Sequence, residues 1–394
     1  MKASGIVAEY NPFHKGHAYQ ISKIKEESDA DLIVAVMSGN FLQRGEPAIV
    51  DKWTRAEMAM NSGVDLLVEL PTTYSVQPAD LFAKGAIQLL SHLDIDYLSF
   101  GTEEGEAADF YQAAADLIKA EKVIAKEIKK DSKMNMSYAE KMEKIIYELK
   151  PDFPLDIAAP NTQLGISYQK ELFHLGLENK IKLLPVQRIG PSYGEKEINY
   201  HPSVASATAI RQTVFSGQDA SQYLTPSSAE IFKNKINEKV SWESYFSLLK
   251  YELLVKSEAE LREIYQMTEG LENRLKKMIK SSSSFDEFIN KIKTKRYTRT
   301  RLQRLLIYVL LNIKEKEMRK NLQLESPIRI LAFNQTGRLY LNQKKNKIDL
   351  PIISNVNQKT KKMLKDTIKA GEIYALANQL IKKQDFTRKP LIID

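Results

Sequence analysis

The chain has 394 residues, 43% of them hydrophobic, so it can bury a substantial core, and its length favours two domains over one. It contains no cysteine, which excludes disulfides, thiolate metal sites and a cysteine nucleophile and suits a reducing compartment. The net charge of +8 is uneven: residues 1–230 carry 23 Lys and Arg against 32 Asp and Glu, whereas residues 231–394 carry 35 against 18.

The sequence shows neither an export signal nor a membrane-spanning run. The N-terminal stretch MKASGIVAEYN has Glu9 where a signal peptide would be apolar. The most continuous apolar run, LLIYVLL at residues 305–311, is far shorter than the roughly 20 residues that cross a bilayer. We therefore expect a cytoplasmic protein that does not enter a membrane.

The first 215 residues alternate short apolar runs with helical patterns. Strands are predicted at 5–10, 31–39, 64–70, 96–101 and 180–189, and helices at 17–27, 53–61, 78–92 and 163–175. This alternation predicts an α/β fold with a parallel sheet, in which ligands bind beyond the carboxyl ends of the strands. The charged stretch 103–160 is predicted to be a helical insertion at the edge of the sheet.

The first strand-to-helix junction carries two histidines around a glycine, in HKGH at residues 14–17. A helix start attracts anions through its unpaired N–H groups and its dipole. Gly16 would let the backbone approach an anion, and His14 and His17 could donate hydrogen bonds to phosphate oxygens. The pattern is weak alone, but directly after the first buried strand it predicts a phosphate site.

Two other roles for this histidine pair stay open. Zinc binding would need a third ligand, and the sequence has no accompanying His or Cys cluster. Both side chains could also be structural, which is the role expected of His92, His174 and His201. A Walker phosphate loop and a G-x-G-x-x-G fingerprint are absent, so kinase and dehydrogenase functions lose their usual support.

After about residue 211 the pattern becomes helical as far as residue 321. A last region, from residue 326, mixes a short apolar run, a turn predicted at Thr336 and Gly337, and another lysine-rich helix.

The positive charge of the second half is densest at residues 291–304, which hold seven Lys and Arg and no acidic residue around Tyr297. Basic side chains that contact phosphates, beside an aromatic ring that can stack a base, are typical of RNA binding. The predicted contact residues are Lys295, Arg296, Tyr297, Arg299, Arg301 and Arg304. A solvated helix face is the alternative, and an anionic membrane is a weaker candidate partner than nucleic acid.

Two motifs resemble those of the nucleotidylyltransferase superfamily. HKGH resembles its (T/H)-x-G-H signature. ASATAIR at residues 205–211 resembles its second signature, I-S-S-T-x-I-R: Ser206, Thr208 and Arg211 match, while Ala207 replaces the middle serine. The resemblance implies a Rossmann-like sheet that binds ATP.

Longer stretches resemble the bacterial tRNA(Met) cytidine acetate ligases: residues 5–17, 37–59, 160–168 and 295–304. This resemblance covers essentially the whole chain. It implies that ATP activates acetate as acetyl-adenylate with release of pyrophosphate, and that the acetyl group passes to N4 of the wobble cytidine of elongator tRNA(Met). It also implies a nucleotidyltransferase-like catalytic domain over 1–215 and a mostly helical, basic tRNA-binding domain over 216–394.

The resemblance carries site residues with it. His14 and His17 would be catalytic, acting on the α- and β-phosphates, while Thr208, Arg211 and Lys15 would act on the departing pyrophosphate. Mg²⁺ would accompany ATP as its counter-ion. The residues implied to bind ATP are Val7, Ala8, Glu9, Tyr10, Asn11, Pro12, Phe13, His14, Lys15, Gly16, His17, Ala18, Tyr19, Gln20, Gly101, Asn161, Arg188, Ser206, Thr208 and Arg211.

The polar loop after the second predicted strand supplies further candidates. Arg44, Lys52 and Arg55 are predicted on the substrate side, where they would contact acetate or the base; the alternative is a salt-bridged loop that caps the next helix. Two other functions stay open, a small-molecule adenylyltransferase and a non-catalytic nucleotide-sensing RNA-binding protein. The residues alone select neither acetate nor cytidine, nor an oligomeric state.

Overall fold

The structure, a computed structural model, describes residues 1–130, 138–188, 204–382 and 385–393. Part of the predicted insertion, the end of the fifth predicted strand and His201 lie outside the described residues.

The described strands form one sheet of eight, in the order β5-β4-β1-β2-β3-β6-β7, with β8 also paired to β6. The strands are β1 Ala3–Ala8, β2 Leu32–Ser38, β3 Leu66–Leu70, β4 Tyr97–Thr102, β5 Lys182–Gln187, β6 Ile328–Phe333, β7 Ile352–Ile353 and β8 Leu391–Ile392.

Helices cover the sheet and build the second half of the chain. They are α1 Lys15–Glu27, α2 Lys52–Met60, α3 Thr72–Ser75, α4 Ala79–His92, α5 Ala107–Lys130, α6 Tyr138–Leu149, α7 Pro160–Leu175, α8 Ala207–Phe215, α9 Pro226–Lys235, α10 Phe246–Val255, α11 Glu258–Arg262, α12 Leu271–Lys280, α13 Phe285–Ile292, α14 Arg299–Leu310, α15 Glu315–Asn321, α16 Gln335–Lys344 and α17 Lys365–Ala375.

The first five strands confirm the predicted parallel α/β fold. All four pairings among them are parallel, and β1 lies in the middle, between β2 and β4. The chain adds β2 and β3 on one side of β1 and then β4 and β5 on the other, so the strand order reverses at β1. A reversal of this kind opens a crevice at the carboxyl ends of the strands. The HKGH segment follows β1 directly and therefore lies at that crevice.

Three strands from the second half of the chain, β6, β7 and β8, join this sheet, which the sequence analysis did not predict. β6 pairs antiparallel with β3, bringing Arg329 opposite Glu69. The turn predicted at Thr336 and Gly337 is wrong, because both residues lie inside α16. A side-chain carbon at Gly337 would come within 2.1 Å of the Asp65 carbonyl oxygen, so this glycine allows close packing against the sheet instead of forming a turn.

Helices predominate between residues 216 and 321, as predicted, and their buried side chains form a hydrophobic cluster that also includes Phe41 and Val76. Buried leucine, isoleucine and aromatic side chains of α10, α12, α13 and α14 pack together there. Trp242 stacks on Phe285 with 4.5 Å between ring centroids. In the part of the chain that the structure describes, no helix is long and apolar enough to cross a membrane.

Candidate functional site

The two histidines of the turn between β1 and α1 hold each other in place. His14 is the N-cap of α1, and its Nδ1 accepts a hydrogen bond from the Gly16 amide at 3.0 Å. His17 Nδ1 accepts from the His14 amide at 3.2 Å, and the two rings stack with centroids 3.8 Å apart. Because both Nδ1 atoms are acceptors, the neutral rings carry their protons on Nε2. Each ring thus keeps one N–H donor for a ligand.

The surroundings of these rings disfavour their charged forms. Burial, together with the positive charges of Arg188 and Arg211, lowers the pKa of His14 to about 3. Burial also lowers the pKa of His17 well below its usual value, and His14 and Arg188 add to the effect. Both imidazoles are therefore neutral hydrogen-bond donors at neutral pH. This state suits phosphate oxygens. The described residues contain no group of three His, Asp or Glu side chains that could hold a metal ion.

The glycine of the motif is required by packing. A side-chain carbon at Gly16 would lie 2.9 Å from Cε1 of His14, so any larger residue would displace that ring. Tyr10 and Phe13 pack against the other side of the pair, with ring centroids 4.8 and 5.3 Å from that of His17. The turn is thus shaped by residues on both sides of the histidines.

The second motif lies directly on the first. Ser206 caps α8 by accepting a hydrogen bond from the Ala209 amide at 3.2 Å. Arg211, one turn further along α8, donates to the Asn11 carbonyl at 3.1 Å and to Thr208 Oγ1 at 3.4 Å. Residues 200 positions apart in the sequence therefore meet at the same turn, and they place a guanidinium beside two neutral imidazoles.

Other predicted nucleotide residues border the same crevice. Gly101, at the end of β4, leaves room for the side chain of Arg188, whose Cγ would lie 3.5 Å from a side-chain carbon at that glycine. Gln20 Nε2 donates to Ser99 Oγ of β4 at 3.2 Å. Asn161, at the start of α7, donates to the Glu103 carboxylate at 2.6 Å.

Two of the predicted substrate-side residues, Lys52 and Arg55, are interior and have protein partners, as the alternative of a salt-bridged loop implies, and their contact with substrate stays a prediction. Lys52 is fully buried and its Nζ lies 2.8 Å from Glu69 and 2.7 Å from Asp385. Arg55 is also fully buried and donates to backbone carbonyls, among them those of Glu9 at 2.5 Å and Ser38 at 3.0 Å. The donors of both residues are used to hold protein acceptors at the carboxyl ends of the strands.

Arg44 is partly exposed in the loop of residues 41–47, which closes through a bridge between Phe41 and Pro47. The Gln43 amide of this loop donates to the Glu9 carboxylate at 2.7 Å. Burial raises the pKa of the Glu9 carboxyl, while the charge of Arg44 opposes that rise. The charge of Arg44 thus reaches Glu9 at the crevice. The substrate-side role of Arg44 stays a prediction.

The basic segment folds around Tyr297. The guanidinium carbons of Arg301 and Arg296 lie 4.8 and 5.6 Å from the ring centroid, and Lys295 and Arg296 are exposed. Arg299 pairs with Asp286 at 2.6 Å.

Arg304 lies away from this group, against the 41–47 loop, and donates to the Gln43 carbonyl at 3.4 Å. Glu46 and Gln303, which also meet at that loop, were not predicted because no sequence motif marks them.

Comparison with known proteins assigns the chain to a family. The family model described as HIGH Nucleotidyl Transferase matches residues 1–389. The tRNA(Met) cytidine acetate ligase of Listeria monocytogenes is 39% identical, and the match covers all of both chains. The protein of the same name from Leuconostoc mesenteroides is 41% identical over 99% of each chain.

Two solved structures resemble this chain over its full length. Apo Thermotoga maritima TmcAL superposes with a TM-score of 0.91 at 28% identity, and the form bound with alpha-thio ATP superposes with a TM-score of 0.90. Each match covers 100% of both chains.

Proposed function

This chain belongs to the HIGH nucleotidyl transferases and, among them, to the tRNA(Met) cytidine acetate ligases; from that premise we propose that it joins acetate to N4 of the wobble cytidine of elongator tRNA(Met), using ATP. The observation that carries the proposal is the contact between Arg211 and the turn that holds two neutral histidines. This geometry fits a triphosphate.

In the first step, an acetate oxygen attacks the α-phosphorus of ATP, and the bond from that phosphorus to the bridging oxygen of pyrophosphate breaks. The products are acetyl-adenylate and pyrophosphate. Catalysis depends on aligning the two anions and stabilising charge on the phosphoryl oxygens. The Nε2–H groups of His14 and His17 and the N-terminus of α1 supply neutral donors for this purpose.

The leaving pyrophosphate carries several negative charges and needs cations. Arg211, with Thr208 beside it and Lys15 in the first turn of α1, would bind it. Mg²⁺ would enter with ATP as part of the substrate, held by the phosphates. Val7 to Gln20, Gly101, Asn161, Arg188 and Ser206 would line the nucleotide pocket around these groups.

In the second step, the cytidine N4 amine attacks the acetyl carbon, an amide bond forms, AMP leaves and one amine proton is lost. The cytidine must first be unstacked from the anticodon loop. The basic segment, Lys295 to Arg304, would hold the tRNA backbone, and Arg44 would lie on the substrate side. The proposed division is a catalytic domain over 1–215 and a tRNA-binding domain over 216–394, acting in the cytoplasm, where tRNA is found.

One assay tests this function. The protein is incubated with MgATP, labelled acetate and total bacterial tRNA. Label should enter tRNA only when ATP is present, and the labelled nucleoside should be N4-acetylcytidine. Absence of label would contradict the ligase; an adenylylated small molecule as the only product would indicate the small-molecule adenylyltransferase, and ATP and tRNA binding without product would indicate the non-catalytic alternative.

The catalytic role of the histidines has a separate test. His17→Ala removes one of the two N–H donors, so we expect turnover to fall by about a hundredfold or more while the circular dichroism spectrum stays unchanged. Unchanged turnover in a folded variant would refute the role assigned to His17.

A further inference from the structure

The 41–47 loop is packed between the two halves of the molecule. Gly45 has a φ of +73°, and a side-chain carbon there would lie 2.2 Å from the backbone nitrogen of Arg304 in α14. The Gly45 carbonyl accepts a hydrogen bond from Trp242 Nε1 at 2.8 Å. The loop is thus fixed against the helical part, and its position depends on α14.

One side chain of this loop, Glu46, touches both halves at once. Its Oε2 lies 3.2 Å from a terminal nitrogen of Arg211, and its Oε1 lies 3.5 Å from Nε2 of Gln303. The Gln303 side chain is buried and the Arg211 and Glu46 side chains are only 17% and 30% exposed, so this group is shielded more than a surface ion pair. A chain of contacts therefore runs from α14 through Glu46 to the arginine at the histidine turn.

We propose that Glu46 is a positioning residue for Arg211 and that Gln303 holds Glu46 in place, so that helix α14 completes the site where ATP is activated. The proposal deepens the proposed function and rests on the assignment of Arg211 to the pyrophosphate. The helical domain would then serve the adenylation step even in the absence of tRNA.

The charge of Glu46 should act on binding and on turnover in opposite directions. The carboxylate offsets part of the positive charge of Arg211 and repels a triphosphate, so it weakens ATP binding. It also restricts the guanidinium to one orientation, beside the turn, where the leaving group forms. Removing only the charge should strengthen binding and slow the reaction, a combination that general loss of structure would not produce.

Acetate-dependent exchange of labelled pyrophosphate into ATP, measured without tRNA, separates these effects. For Glu46→Gln we expect KM for ATP to fall about threefold, the size of a partly exposed charge interaction, and kcat to fall about tenfold. Gln303→Ala should lower kcat about threefold although no tRNA is present. Glu238→Gln is the matched control: its carboxylate is 19% exposed and pairs with Lys235 at 2.8 Å. The control should leave both constants unchanged. Unaltered kinetics in Glu46→Gln, or a higher KM, would overturn the proposal.

Calorimetric titration with α,β-methylene ATP gives a readout that does not require the acetate reaction. Glu46→Gln should bind this analogue about threefold more tightly than the parent protein, and equal or weaker binding would overturn the proposal. If the parent protein shows no acetate-dependent exchange, the proposed function fails, whereas the affinity of Glu46→Gln still decides the inference. Thermal unfolding of each variant verifies that it is folded.

Discussion

At the scale of single residues, His14 and His17 are neutral hydrogen-bond donors, because their surroundings disfavour a positive charge on either ring. Burial and the nearby guanidinium groups of Arg188 and Arg211 lower the pKa of His14, and burial, His14 and Arg188 lower the pKa of His17. The sequence motif predicts that these side chains meet phosphate. It does not predict their tautomer, which follows from the two hydrogen bonds that Nδ1 accepts.

The low pKa of His14 makes stability depend on pH. The ordinary histidine pKa is about 6.5 and that of folded His14 is about 3, so between these values only the unfolded chain binds the proton. Stability is thus lost as pH falls from about 6.5 towards 3. Urea unfolding at pH 6.5 and 5.5 should show that the parent protein loses about 1 kcal/mol more than His14→Asn, because asparagine caps helices and does not titrate. Equal losses in the two proteins would contradict the assigned pKa.

Lys52 and Arg55 show what the local sequence does not reveal about single residues. Lys52 and Arg55 follow a polar loop, in a pattern shared by substrate-binding and structural residues. The structure buries both, since the carboxylates of Glu69 and Asp385 and the carbonyls at the strand ends require donors. Those acceptors come from distant parts of the chain, and local sequence does not reveal them.

At the scale of elements, α14 and the segment before it carry two proposed roles. Guanidinium groups lie over the Tyr297 ring, on the face proposed to bind RNA, whereas Gln303 and Arg304 face the 41–47 loop. The cluster of positive charge predicts the first role. The second depends on where the loop packs, which the sequence does not specify.

The proposed RNA-binding face can be tested by charge removal. Arg296→Ala combined with Arg301→Ala removes two cations that would contact phosphates, so we expect the Kd for tRNA to rise about tenfold. The slope of log Kd against log salt should decrease by about 0.7 for each lost phosphate contact. Filter binding over a range of salt concentrations measures both. The double substitution Lys359→Ala and Lys362→Ala removes the same charge from exposed positions of the last region. If the two double variants weaken tRNA binding equally, the net positive charge of the protein, and not a specific face, would account for the binding.

Strand β6 and helix α16 belong to the predicted second domain, yet they complete the sheet of the first. The apolar run of Ile328–Phe333 reads as a strand, yet its partner, Leu66–Leu70, lies far away in the sequence. Glycine at position 337 resembles a turn signal, but its role is a close contact with the Asp65 carbonyl. Pairing and close packing between distant segments are set by tertiary contacts, so local patterns identified the strand and not its place in the sheet.

At the scale of the whole molecule, a cluster of buried charged side chains connects Asp385, near the end of the chain, to the sheet. Lys52 contacts Glu69 of β3 and Asp385, each with a side chain no more than 3% exposed. Arg329 of β6, opposite Glu69, adds a second positive charge. The cluster balances two cations with two carboxylates, and it joins segments from both predicted domains.

This connection predicts that the two domains unfold together. The protein has two tryptophans: Trp53 packs in the sheet layer and Trp242 in the helical core, so Trp53→Phe and Trp242→Phe each leave one local reporter. In urea, tryptophan fluorescence and far-ultraviolet circular dichroism should give coincident transitions in each variant. Lys52→Met should then lower the free energy of unfolding by about 3–5 kcal/mol and shift both transitions together, because it leaves two buried carboxylates with one cation. Adding Glu69→Gln and Asp385→Asn should restore part of the loss. Separate transitions for the two reporters in the parent background would instead mean that strand β6 and the charge cluster do not couple the domains.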